Sequence, residues 1–538
     1  MDPGGRGPAG TDGRPQVEPR PSPRRLPADA GRVTSASSSD AAPDNAASAR
    51  APRPADRLPA DVLSRIDDLF RQRVERGVAP SSAWGVFDRQ GLVASGGHGD
   101  RGDGRAPDQD TAYRIASCTK SVTAAALLLL TERGLLDLDD PVTAFVPAFA
   151  SVALPRPDAP VPTLRMLLTM SAGFPTDDPW ADRQESLSDD AFDGVLRGGL
   201  LFDRVPGTGF AYSNLGYALL GRVVARVSGR PYQRFATEEL LDPLGLTRTA
   251  FTAPDGAALA SGYRSGPDGW ERLPFTGPGA FSSIGGLFST VTDLAAWARF
   301  LAAAFDGIGV GTTGAAAAWS GSAPLSAADR RAMQQASRTI PGGTGLPGLR
   351  DRPAGYGFGL FVEQDPVVGT IVSHSGGYPG FSAHMRWSTA DGVGVVAFEN
   401  ATGARVPMAA TEAHDLLLSA RPAPPADPVL DVTRRAQAAV TRLLADGFPD
   451  DLADAVCTPN VAMDVPYERR RAAVREALSA SGADLAARPV REETRSPTHL
   501  VWWHPGSTGL LRVEIRLAPI AAGLVQTLTV RVEDAPPV

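Results

Sequence analysis

Residues 117–130 read Ser-Cys-Thr-Lys-Ser-Val-Thr-Ala-Ala-Ala-Leu-Leu-Leu-Leu, and the reading of this stretch decides the fold. The apolar run from Ala124 predicts a buried helix over Ser117–Arg133, stopped by Gly134. Ser117 and Lys120 stand at i and i+3, so both side chains share one face of that helix. A serine hydroxyl is a poor nucleophile until a base takes its proton. A lysine amine, with an ordinary pKa of about 10.4, serves as that base only when desolvated or set beside another cation. The N–H groups opening the same helix favour developing negative charge.

A lone Ser-x-x-Lys arises by chance in long chains, as a helix start with a surface lysine. Composition argues against that reading here. Lys and Arg total 53, and Lys120 is the single lysine among them. A chain that uses arginine wherever a positive charge suffices has kept at 120 an amine able to lose its proton, which arginine cannot do. Cys118, one position on, points to another face of the helix and is expected to be a small packing residue.

At 538 residues the chain has room for two or three domains. Residues 1–56 are rich in Pro, Gly, Ala, Ser and Arg and are expected to be disordered. Residues 57–421 carry dense periodic patterning and read as one catalytic unit. Residues 422–428 look like a linker, and 429–538 like a small α+β domain of unknown role. The net charge of -7 argues against nucleic acid or an anionic membrane as partner. No run is long enough to span a bilayer and no signal-like segment is visible, so a cytoplasmic protein is expected. The two cysteines, Cys118 and Cys457, lie far apart and the histidines are scattered. No disulfide framework, metal or cofactor is therefore expected. The oligomeric state is not legible.

Spacing predicts a helix over Val62–Arg76, a hairpin over Ala83–Ser95 and a helix over Leu215–Val227. Thr290-Val291-Thr292-Asp293 signals a helix start running to about Phe305. Strands follow at Gly357–Glu363, Val368–Ser373, Phe381–Trp387 and Val393–Phe398. The last two are joined by the Ala390-Asp391-Gly392 turn. Helices first and antiparallel strands after make an α+β pattern. In the C-terminal part, helices at Asp431–Ala445 and Tyr467–Ala480 precede strands at His499–Trp503, Leu510–Leu517 and Leu524–Val532. Trp502, Trp503 and His504 read there as strand core rather than as a ligand site.

Two further segments carry candidate chemistry. In Tyr212-Ser213-Asn214, ahead of a helix, a tyrosine hydroxyl can relay a proton and an asparagine amide can orient a carbonyl. A helix cap with a packed tyrosine is the plainer reading. His374-Ser375-Gly376-Gly377 falls between two predicted strands. Its glycines would let a substrate approach a strand edge, and the Gly377 N–H could pair with that of Ser117 as an oxyanion hole.

Ser-x-x-Lys, Tyr-Ser-Asn and His-Ser-Gly, in this order, resemble the class C β-lactamase-like serine hydrolase family, which includes esterases, D,D-peptidases and D-aminopeptidases. Leu167-Leu168-Thr169-Met170-Ser171-Ala172-Gly173-Phe174, the run Phe202–Gly229, Gly285–Thr290 and His374–Phe381 are similar to that family as well. The resemblance covers about Arg57–Ala420. It implies an antiparallel sheet flanked by helices, with an all-helical subdomain and the active site between them. It further implies that Ser117 is acylated, that Lys120 and Tyr212 share proton transfer, and that Asn214 and His374, with Ser375, Gly376 and Gly377, meet the substrate. Met170 departs from the family's histidine. His374 stands where β-lactamases usually have lysine, and a mostly neutral histidine suits a β-lactam carboxylate less well.

The expected function is hydrolysis of a small-molecule ester, amide or peptide through an acyl-enzyme on Ser117. The alternatives are a β-lactamase, a D-alanyl-D-alanine carboxypeptidase, or a non-catalytic binding protein that keeps the fold. Which of Lys120 and Tyr212 is the main base stays open.

Overall fold

The strand Ser81–Phe87 is buried at all seven of its positions, which requires cover on both faces. The computed structural model supplies it; it describes residues 58–254, 258–306, 323–342, 348–349, 352–421 and 428–534. The expected disordered segment 1–56 and most of the expected linker lie outside the described residues.

Ser81–Phe87 belongs to an eight-stranded sheet. Its spatial order is Leu92–Gly99, Ser81–Phe87, Gly394–Glu399, Phe381–Ser388, Gly369–Tyr378, Phe361–Asp365, Ala354–Tyr356 and Arg338–Thr339. Every neighbouring pair is antiparallel. On one face lie the helices Ala60–Glu75 and Val406–Ser419. Val62, Ile66 and Phe70 of the first, at helical spacing, meet Trp84, Val86, Val395 and Ala397. Each such fully buried side chain is worth about 1.5–3 kcal/mol.

On the other face lie the helices Thr119–Glu132 and Val291–Ala302, against Ala83, Phe87, Val396 and Phe398. Thr290 caps the latter by accepting from Asp293 N at 3.1 Å, as its sequence signal predicts. Helix Thr119–Glu132 is buried at all but its last two positions, which explains its lack of a polar face. It packs on helix Asn214–Ser228 of a helical subdomain that also contains Leu164–Leu168, Asp178–Ala181, Asp189–Arg197 and Tyr232–Ala236. A buried ion pair between Arg114 and Glu185 ties this subdomain to the turn that carries Ser117. Tyr378 Oη and Thr276 Oγ1 also donate to Glu185, each at 2.8 Å.

Residues 431–533 build a separate core. Helices Asp431–Ala445, Asp450–Val456, Asn460–Asp464 and Tyr467–Ser481 accompany an antiparallel sheet ordered Arg491–Ser496, His499–Pro505, Leu510–Leu517, Val525–Glu533. Trp502 is fully buried and donates from Nε1 to His504 Nε2 at 3.1 Å, so this segment is strand core.

One expectation needs correction. His374-Ser375-Gly376-Gly377 does not lie between strands but inside the single strand Gly369–Tyr378, which pairs with Phe381–Ser388 along its length as far as Tyr378. Two glycines in a row suggest a break. Here the ladder continues through them because the strand passes close to another backbone.

Candidate active site

That close approach begins the site. A Cβ on Gly376 would lie 2.3 Å from Ile115 O and 3.0 Å from Ala116 Cβ, so only glycine lets the strand press against the turn before Ser117. Ala116 itself has φ +47°, a left-handed conformation that costs a non-glycine residue roughly 1–2 kcal/mol. A single 3₁₀ turn, Ala116–Cys118, carries Ser117, and the helix proper starts at Thr119. Cys118 Sγ donates to His374 O at 3.3 Å, a second tie between helix and strand. Burial pushes its thiol up to about 12, and it packs as its position on the helix predicts.

Lys120 is fully buried one turn on. Its Nζ stands 2.9 Å from Ser117 Oγ and donates to Ile284 O at 2.8 Å. The rings of Tyr212 and Tyr217 flank it at 5.2 and 5.8 Å. Burial pulls its pKa down to about 8, while Asp178, Asp182 and Asp177 act in the opposite sense. Tyr212 lines the same cavity as Ser117, whose side chain acts on the phenol. Burial first and Asp178 second hold its phenol well above the ordinary value, so it stays neutral. Its ring stacks on Phe361 at 6.2 Å with an interplanar angle of 8°.

Ser117 and Tyr212 line a cavity of about 230 Å³ together with Ser375, Gly376 and Gly377. A Cβ on Gly377 would meet nothing within 4 Å, so its backbone faces open space there. The structure thus brings Ser117, Lys120, Tyr212 and the Ser-Gly-Gly stretch together.

His374 is placed differently from the other three residues of its motif: it is not among the cavity-lining residues. Its ring is fully buried, 6.2 Å from that of Tyr212. Nδ1 donates to Ser375 O at 2.7 Å, and Nε2 accepts from Tyr356 Oη at 3.1 Å. Burial, then the nearby Lys120, push its pKa down to about 3, leaving a neutral imidazole.

Asn214 is likewise buried and opens helix Asn214–Ser228, whose cap is Ser213. Its Nδ2 donates to Asp178 Oδ1 at 2.6 Å, while its Oδ1 has no hydrogen-bond partner among the described residues. Met170, in a left-handed conformation, accepts from Ser213 N through Sδ at 3.3 Å.

Sequence reasoning missed the acids. Asp177 accepts from the backbone N–H groups of Asn214 at 2.7 Å and Leu215 at 2.9 Å, a tertiary cap on that helix. Asp178 and Asp182 line the cavity itself, and burial, then Asp178, push the Asp182 carboxyl up to about 7. Asp177-Asp178-Pro179 does carry a helix-start signal, acids with proline in the first turn, but nothing in it points towards Ser117. Arg405, in a left-handed conformation after the last strand of the sheet, lines the cavity as well. Among the described residues no group of three or more His, Cys, Asp or Glu side chains is placed to hold a metal ion. Nor is any helix there long and apolar enough to cross a membrane.

A family model described as beta-lactamase matches residues 66–419. The Protein flp of Staphylococcus aureus (strain N315) is 25% identical over 373 residues, 65% of this chain and 66% of its own length. The D-alanyl-D-alanine-carboxypeptidase/endopeptidase AmpH of Escherichia coli (strain K12) is 29% identical over 250 residues, 44% of this chain and 61% of that protein. The chain therefore spans just under two thirds of the length of these curated relatives. The structure of an octameric penicillin-binding protein homologue from Pyrococcus abyssi superposes with a TM-score of 0.56 at 21% identity, covering 87% of this chain and 89% of that one. This is a likeness of fold.

Proposed function

Since the chain belongs to the beta-lactamase family, we propose that it is a serine hydrolase that cleaves a carboxylic ester or amide through an acyl-enzyme on Ser117. The observation that carries this reading is the fully buried Lys120 amine, 2.9 Å from Ser117 Oγ, with its pKa drawn down to about 8. A neutral amine in that position accepts the hydroxyl proton as Oγ attacks the carbonyl carbon. The carbonyl oxygen gains the negative charge, and the Ser117 and Gly377 N–H groups would stabilise it. The bond to the leaving group then breaks. The leaving group takes its proton from Lys120, directly or through the Tyr212 hydroxyl, which lines the same cavity as Ser117. Water next attacks the acyl carbonyl, its proton passing to the same pair and on to Ser117 Oγ as the acyl–Oγ bond breaks and the acid leaves.

The neutral phenol of Tyr212 supports Lys120 as the base and Tyr212 as the relay. The neutral His374, without the permanent cation usual at that place, favours an ester or amide over a β-lactam. The relative named as a D-alanyl-D-alanine-carboxypeptidase/endopeptidase keeps short peptides in view as amide substrates.

The test is labelling with a fluorophosphonate probe, together with turnover of p-nitrophenyl esters, D-Ala-D-Ala peptides and nitrocefin. Labelling and turnover that vanish in Ser117→Ala support the reading. A folded protein that neither takes the probe nor turns over any of the substrates refutes it, and so does Ser117→Ala keeping wild-type turnover.

A further inference from the structure

Glu185 is fully buried and has no part in the mechanism above. Three donors converge on its Oε2: the Arg114 guanidinium, Tyr378 Oη at 2.8 Å and Thr276 Oγ1 at 2.8 Å. Its Oε1 and the Arg114 Nε have no hydrogen-bond partner among the described residues. Apolar side chains in place of a buried ion pair are often as stable or more so. Stability therefore does not account for a carboxylate here, but the segments that its partners belong to do.

Arg114 lies three residues before Ser117, and Tyr378 one residue after Gly377. Ser117 and Gly377 are the two residues whose N–H groups meet the carbonyl oxygen in the reading above. From Arg114 to Ser117 the backbone has little freedom. Arg114 pairs with Phe288 in a short antiparallel ladder, Ile115 N donates to Leu287 O at 2.9 Å, and Ala116 is left-handed against Gly376. The Arg114 guanidinium lies over the Phe288 and Tyr378 rings, 4.7 Å from each centroid. On the other side, Tyr378 ends the strand that holds Gly377. Burial first, then the Glu185 charge, hold its phenol well above the ordinary value, so it stays protonated and donates. Both segments thus lean on one oxygen atom supplied by a third, the stretch 182–188 between helices Asp178–Ala181 and Asp189–Arg197. Glycines leave room for it. A Cβ on Gly286 would lie 2.8 Å from Glu185 Oε1, and one on Gly279 would lie 2.4 Å from Glu185 O.

We infer that Glu185 is a positioning residue for the hydrolysis: it fixes the separation of the Ser117 and Gly377 N–H groups, so that both reach the oxygen of the tetrahedral intermediate. Glu185 is not among the residues that line the cavity, so it acts through Arg114 and Tyr378. The inference rests on the acyl-enzyme reading of Ser117 and adds to it what holds the two donors in register.

The experiment uses the full chain with p-nitrophenyl acetate and its thiono analogue, in which sulfur replaces the carbonyl oxygen. Sulfur is larger and a weaker acceptor, so N–H groups spaced for oxygen discriminate against it. The ratio of the two rates is read on one sample and does not depend on the fraction folded. The wild-type protein should prefer the oxygen ester. Tyr378→Phe removes one hydroxyl and keeps the ring beside Arg114. It should lower kcat on the oxygen ester about tenfold, leave KM nearly unchanged, and cut the oxygen-over-sulfur preference by a similar factor. It is the deciding variant, since Glu185→Gln leaves Arg114 uncompensated in the core. Glu185→Gln, read by the same ratio on the fraction that folds, should fall at least as far. A folded Tyr378→Phe protein with the wild-type preference, a wild-type protein indifferent to the sulfur, or a loss confined to KM would each overturn the inference while leaving the hydrolase reading intact. Absence of Ser117 labelling and of all turnover brings down the hydrolase reading, and this inference with it.

Discussion

Acylation of Ser117 should follow the protonation of Lys120, and the structure fixes how steeply. With a pKa of about 8, roughly one amine in ten is neutral at pH 7 and roughly nine in ten at pH 9. The second-order rate of fluorophosphonate labelling, measured with an uncharged probe, should therefore rise about tenfold across that interval and level off above it. Two variants separate the base from its relay. Lys120→Arg puts a cation that cannot deprotonate into a fully buried space, so the rate should collapse and its pH dependence vanish. Tyr212→Phe removes a phenol that is neutral throughout this range. It should lower the rate and leave the inflection near pH 8. A flat wild-type profile between pH 7 and 9 would refute the assignment of the base. An inflection that disappears with Tyr212→Phe and survives Lys120→Arg would transfer the role to the tyrosine.

Gly376→Ala should destabilise the fold by about 1–3 kcal/mol or more, since its Cβ would collide with backbone at 2.3 Å. Gly377→Ala, with nothing within 4 Å, should change the melting temperature little; equal melting of the two variants would contradict the packing described for this strand. Glu185→Gln breaks a buried ion pair and leaves Arg114 uncompensated, which should cost about 3–5 kcal/mol in denaturant unfolding. His414, fully buried with Nε2 donating to Val393 O, has its pKa pushed down to about 3 by burial. The unfolded chain takes up that proton below about pH 6.5 and the folded chain does not, so this group removes stability as pH falls. His414→Gln should lessen the acid-induced loss by about 1.4 kcal/mol per pH unit between roughly pH 6 and 4, relative to wild type. Parallel stability curves for the two proteins would rule this out.

Local patterning was enough to bring out the Ser117–Lys120 pair, which the structure places 2.9 Å apart, and most of the central strands. Ser117 and Lys120 are three residues apart on a helix without a polar face, and a one-residue helix offset would not separate them. Ala83–Phe87 and Gly394–Phe398, within two strands buried at every position, are continuous apolar runs because both faces are covered. Asp178, Asp182 and Arg405 were not legible, since the first two sit on one short helix and the third in a loop far along the sequence, and their own spacing carries no target. His374 was read as a wall residue from its place in the motif. Its burial depends on Tyr356 and Phe361, more than ten residues earlier, which close over it. In the C-terminal core the strand Arg491–Ser496 escaped notice because it reads Arg-Glu-Glu-Thr-Arg-Ser. It is an edge strand, with charged side chains of the kind that guard exposed sheet edges.

The solitary lysine has a use beyond catalysis. A sample grown with isotope-enriched lysine contains one labelled ε-amine, and it is the one packed between Tyr212 and Tyr217. Its side-chain resonances need no assignment by elimination, and ring currents from the two tyrosines will displace them from solvent-exposed values. A magnetic-resonance titration would then follow the charge beside Ser117 directly, with substrate absent or bound. The same atom that the arginine-rich composition singles out thus serves as a built-in reporter on the site around it.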